Sequence, residues 1–135
     1  MAARTLGTGM REMRRTICVV EDNADNRLLL RAILDDDYDL VEYEDGSSAL
    51  AGLHAVRPDL VLLDISLPGM AGTDVLSRMR ADRELRSLPV IALTAHAMTG
   101  DRTRLLDAGF DDYVAKPITD ETELIAAIER SWRAA

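Results

Sequence analysis

Apolar side chains follow two alternating patterns along this chain. Residues 17–20, 60–63 and 90–93 are unbroken apolar runs, each short and each closed by a polar residue. Runs of this kind, bounded by turn signals, read as strands buried on both faces. With residues 59–64 and 90–95 taken as the full third and fourth strands, the stretches 38–43 and 112–115 complete a set of five. Between the strands the apolar positions recur at helical spacing, which predicts helices over 27–34, 47–56, 73–83 and 101–108, and a last one with Trp132 near its end. Asp25 or Asn26 is expected to cap the first helix, and Asp45-Gly46-Ser47 to open the second. Gly109 ends the fourth, and Thr119 and Asp120 cap the last. Val75, Leu76 and Met79 form the inward stripe of the third helix, and Leu124, Ile125 and Ile128 that of the fifth.

Strands that are continuously apolar, each followed by a helix, predict an α/β fold, a doubly wound parallel sheet covered on both faces. The flavodoxin-like (βα)5 order 2-1-3-4-5 is the natural five-strand choice, with its switch point between strands 1 and 3. Ligands of such sheets bind at the edge where the strand C-termini converge. The chain places Glu21 and Asp22 after strand 1, Asp64 at the end of strand 3, Thr94 near the end of strand 4 and Lys116 after strand 5. Fold and polar pattern therefore select the same edge.

At 135 residues with 47% apolar content, one domain with a real core is expected. No apolar run approaches the ~20 residues that span a bilayer, and residues 1–15 hold arginines but no hydrophobic core of a secretion signal. Those fifteen residues read as a flexible tail before a domain spanning 16–133, and Met10 and Met13 are alternative starts. Cys18 is the single cysteine, which excludes an intrachain disulfide and suits a reducing cytoplasm. A net charge of −8 and a pI near 4.7 argue against nucleic acid as a partner.

Three carboxylates brought together repel one another, and a divalent cation relieves that repulsion. An oxygen-only donor set with room for water suits Mg²⁺. Asp64, at a strand tip, can act as a carboxylate nucleophile toward phosphorus. Lys116, the only lysine among sixteen lysines and arginines, would neutralise phosphoryl oxygens, and Thr94 would donate a hydrogen bond to one of them.

Five pieces in order carry a family resemblance: Glu21-Asp22-Asn23; Asp64 followed by Pro68-Gly69-Met70 and Gly72; Leu93-Thr94-Ala95; Asp112-Tyr113-Val114-Ala115; and Lys116-Pro117. From about Thr16 to Trp132 the chain resembles the receiver domains of two-component response regulators, closest to the stand-alone type and to receivers fused to hybrid sensor kinases. The resemblance implies that Asp64 accepts phosphate from a kinase phosphohistidine. It implies that Asp22, Asp64 and the backbone carbonyl of Ser66 hold Mg²⁺, with Glu21 acting directly or through water. Thr94 and Tyr113 match a switch pair, Ala95 is the small residue beside the acceptor, and the Lys116–Pro117 bond matches a position usually cis. Ser66 and His96 stand where the family tunes dephosphorylation. The implied partners are a sensor histidine kinase or a histidine phosphotransfer protein, and a downstream protein target. Both the target and a possible homodimer would use helix 4, strand 5 and helix 5, within Thr99 to Trp132. The chain ends after helix 5 with no output domain expected, so output would be a protein contact or a further phosphorelay step, including service as a phosphate sink.

Other readings compete. A Mg²⁺-dependent phosphohydrolase built on an aspartate nucleophile wants a second aspartate two residues later, where Ser66 stands, so no enzyme is expected. A flavodoxin-type carrier wants a phosphate loop after strand 1, where this chain is acidic. A module that binds partners without taking phosphate is the third alternative. His54 reads as a surface or packing residue, Cys18 as a small core hydrophobe, and Trp132 as packing for the last helix.

Overall fold

The five predicted strands pair in parallel in the order β2-β1-β3-β4-β5. In the computed structural model, which describes residues 14–95 and 101–134, they are β1 (Thr16–Val20), β2 (Asp39–Tyr43), β3 (Leu60–Asp64), β4 (Val90–Thr94) and β5 (Asp112–Ala115). The helices between and after them are α1 (Ala24–Leu34), α2 (Gly46–Val56), α3 (Gly72–Ala81), α4 (Asp101–Ala108) and α5 (Glu121–Ala134). The central strands β3 and β4 are buried at every position, which is why their sequences show no polar alternation. Side chains on either face of the sheet make two cores. Ile17, Val19, Leu62 and Leu93 pack under Leu30 and Leu34 of α1 and Leu124 and Ile128 of α5. Cys18, Val20, Leu63 and Ala92 pack under Leu53 of α2, Val75, Leu76 and Met79 of α3, and Leu105 of α4.

Two local readings are corrected. The N-cap of α1 is Asn23, not Asp25 or Asn26: its backbone is extended and its side chain accepts from the Asn26 amide. Of several possible caps in this Asn/Asp-rich turn, the one used is the residue directly after the β1 acids, so α1 starts three residues earlier than its apolar stripe suggests. Helix α3 ends at Ala81 rather than 83, because Asp82 leaves helical geometry and its side chain accepts from the Glu84 amide. The expected caps at Asp45 and Asp120 are present, accepting from Ser48 N and Thr122 N. The predicted tail lies mostly outside the described residues. Its last two members touch the domain: Arg14 donates to the carbonyls of Asp35 and Tyr38, and Arg15 lies 4.1 Å over the Trp132 ring. Trp132 also packs on the α1/α5 core and donates to the Asp59 carbonyl.

His54 is exposed on α2, and both its ring nitrogens meet carboxylates. Nδ1 lies 2.8 Å from Glu84 and Nε2 2.9 Å from Asp82. The hydrogen bond to Glu84, helped by Asp82, raises the imidazole pKa above its ordinary value of 6.5. A raised folded value means that stability is fully present below 6.5 and is lost as pH climbs through the folded value. Between about pH 6 and about pH 8 the wild-type melting temperature should therefore decline more than that of His54→Gln. Equal slopes in paired thermal melts would show that the contact contributes nothing.

Candidate functional site at the C-terminal edge of the sheet

Because all five strands run parallel, their C-terminal ends share one edge, and the acids of β1 and β3 meet at the switch point. Glu21 follows β1 and is fully buried, Asp64 ends β3 and is 2% exposed, and Asp22 faces solvent. Carboxylate oxygens from these three residues lie within 4.8 Å of one another. Lys116 directly follows β5, is joined to Pro117 by a cis bond, and extends its ammonium between the two buried acids. Its Nζ is 3.1 Å from Glu21 Oε1 and 3.1 Å from Asp64 Oδ2.

Burial raises the pKa of Glu21, the neighbouring Asp64 adds to that, and hydrogen bonds from Asn23 and Lys116 oppose it. For Lys116, burial works to lower the pKa, but the hydrogen bonds and charges of Glu21 and Asp64 outweigh it, so the ammonium is held above its ordinary value. The site thus has three acids and one firmly charged cation, a donor set of oxygens that fits a hard divalent ion. The residues present therefore suit Mg²⁺.

The remaining predicted residues fall around this centre. Ser66 directs its backbone N–H to Asp64 Oδ1 at 2.9 Å, fixing the carboxylate from the following loop. Thr94, 4% exposed, ends β4, and its carbonyl accepts from Lys116 N at 2.8 Å. Ala95 follows it and is exposed. Tyr113 is half-buried against the α2–α4 core, opposite Ala92 in the β4–β5 register. By strand alternation Thr94 shares that face, one step nearer the edge. His96 and Thr99 lie outside the described residues.

Two residues of the site escaped sequence reasoning in their roles. Gly72, noted only as part of a motif, packs directly against the backbone of Asp64 and donates its N–H to the Ile65 carbonyl. Asn26 points its side-chain amide at Glu21. A glycine opening a helix shortly after the acceptor was the available signal for the first. For the second there was only its place among several turn-forming residues.

A model of the response regulator receiver domain matches residues 17–129. The chain belongs to the receiver-domain family of two-component response regulators. It is 40% identical over 108 residues to the polar-differentiation response regulator DivK of Brucella anthropi, covering 79% of this chain and 88% of that protein. It is 38% identical over 122 residues to the sensor protein GacS of Pseudomonas syringae, but spans only 13% of that much longer relative. Among solved structures, the receiver domain of the sensor histidine kinase PA1611 of Pseudomonas aeruginosa is 36% identical, with a TM-score of 0.78 over 87% of this chain and 96% of that one. That structure holds a magnesium ion coordinated in its active-site cleft.

Proposed function

We propose that this receiver domain accepts a phosphoryl group on Asp64 from a phosphohistidine donor and signals through contacts that depend on that phosphate. The observation that carries this reading is a buried strand-tip carboxylate with an ammonium 3.1 Å away and two further acids beside it. Glu21, Asp22, Asp64 and the backbone carbonyl of Ser66 would hold Mg²⁺, which supplies positive charge for the phosphoryl oxygens when bound. An oxygen of the Asp64 carboxylate forms the bond to phosphorus while the phosphorus–nitrogen bond of the donor histidine breaks. The electron pair of that bond leaves with the imidazole, and an acyl phosphate remains. Ser66 N–H orients the attacking group, Lys116 exchanges its carboxylate contact for a phosphoryl oxygen, and Thr94 donates its hydroxyl to another.

The added charge of roughly −1.5 to −2 would draw Thr94 inward, with Tyr113 turning on the same face and Ala95 leaving room beside the acceptor. The surface of α4, β5 and α5, where Leu106 is 37% exposed, would then meet a downstream protein or a second copy. The donor would be a sensor histidine kinase or a histidine phosphotransfer protein, in the cytoplasm. No helix among the described residues is long and apolar enough to cross a membrane. The module would take and lose one phosphate rather than turn over a substrate. Similarity to a receiver belonging to a sensor histidine kinase supports a second reading, an intermediate or phosphate sink in a relay.

Intact-mass spectrometry after incubation with acetyl phosphate tests the reading. A gain of one phosphoryl group is expected with Mg²⁺ and none with EDTA. No gain on folded, Mg²⁺-supplied protein, with either acetyl phosphate or a phosphorylated histidine phosphotransfer protein, would favour a phosphate-independent interaction module.

A further inference from the structure

The Glu21 carboxylate is gripped by the first turn of α1. In a capping box, the N-cap side chain takes the backbone N–H three residues on, and the side chain there reaches back to the N-cap N–H. The first half is present: Asn23 Oδ1 accepts from Asn26 N at 3.0 Å. In the second half Glu21 is interposed. Its Oε2 accepts from Asn23 N at 3.1 Å, and its Oε1 from Asn26 Nδ2 at 3.3 Å. Arg27 Nη1 donates to the Glu21 carbonyl at 2.8 Å, so the same turn anchors backbone and side chain together.

We propose that Asn26 is a positioning residue of the metal site. Its amide holds the Glu21 carboxylate toward Asp22 and Asp64, and it keeps Oε1 hydrogen-bonded when Lys116 turns to the phosphoryl group. The inference rests on the phosphoryl-accepting reading above. Glutamate has one more side-chain torsion than aspartate, and Glu21 is fully buried. Without fixed donors the carboxylate can rotate away from its neighbours. Lys116 cannot serve as the permanent donor, because it also spans to Asp64 Oδ2, the carboxylate that takes the phosphoryl group. Asn26 is uncharged and sits on the helix side of Glu21, so phosphoryl arrival does not draw it away.

The test is isothermal titration of Mg²⁺ into wild type and Asn26→Leu, alongside thermal melts without metal. Leucine is close to asparagine in size and suits a helix. It leaves the Asn23 cap intact, since that cap uses only the backbone N–H of residue 26. The Mg²⁺ Kd is expected to rise roughly tenfold while the metal-free melt stays unchanged. An unchanged Kd overturns the inference and leaves phosphorylation of the wild type standing. Should leucine unfold the chain, Asn26→Ala is read by the same criterion. A wild type that binds no Mg²⁺ overturns the reading of the site and the inference together.

Discussion

Asp64→Asn is expected to take up no phosphate under conditions that phosphorylate the wild type completely, while folding as well as the wild type or better. The loss is total because an amide oxygen is no longer an anionic nucleophile, and no other carboxylate occupies its place. Asp22 is exposed, and Glu21 is tied to Asn23, Asn26 and Lys116. The fold should survive because asparagine can still accept from Ser66 N–H through its side-chain oxygen. It can even gain, since one of three mutually repelling carboxylates is removed and Glu21, whose pKa Asp64 helps to raise, becomes easier to ionise. Mass spectrometry and a melt in Mg²⁺-free buffer check both halves. A phosphate adduct on the variant would remove Asp64 as acceptor. A melting temperature well below wild type would show that the acid cluster stabilises the fold rather than straining it.

Gly72→Ala should produce the largest loss of stability among small substitutions near the site. A methyl group at this position would overlap the carbonyl oxygen of Asp64 and come within 2.8 Å of Ile65 Cα. Both obstacles are backbone, in a segment held by the Ile65 N–H bond to Leu93 and the Gly72 N–H bond to Ile65. Relief requires α3 to back away from the end of β3. Overpacking of this kind costs about 3 kcal/mol, or about 10 °C in melting temperature for a domain of this size. Because the displaced strand end carries Asp64, Mg²⁺ affinity should fall as well. A variant with unchanged melting and unchanged metal binding would mean that α3 yields freely.

The sheet was legible in the sequence because β1, β3 and β4 are almost entirely enclosed, so that water selects nothing polar within them. The edge strand β2 is only half-buried throughout, and its boundary was correspondingly loose: Tyr38 packs on Trp132 outside the ladder. Glu21, Asp22, Asp64, Thr94 and Lys116 announced themselves as polar residues interrupting apolar runs at strand ends. The structure brings the three acids and the lysine into contact range, with Thr94 next to Lys116 through the backbone. What sequence could not supply were contacts decided by three-dimensional approach. The choice of Asn23 over Asp25 or Asn26 as the cap follows from where the buried Glu21 carboxylate needs an N–H. The closeness of Gly72 to Asp64 follows from how α3 returns over β3. Arg80 is a third case. It donates to the carbonyls of Gly109, Arg86 and Leu88 and to the Asp111 carboxylate, tying together loops that nothing in their composition links.

Trp132 is the chain's only tryptophan, and it leans on the Asp59 carbonyl just before β3 begins, whereas Asp64 closes the same strand. Five residues of extended chain separate them, on the order of 15 Å, with Arg15 and Tyr38 as the ring's immediate surroundings. The protein therefore carries a built-in optical label at the end opposite its chemistry. Its emission should report whether the last helix and residues 14–15 remain seated and should change little when the acid cluster is filled, so that a loss of fold can be told apart from a loss of ligand binding.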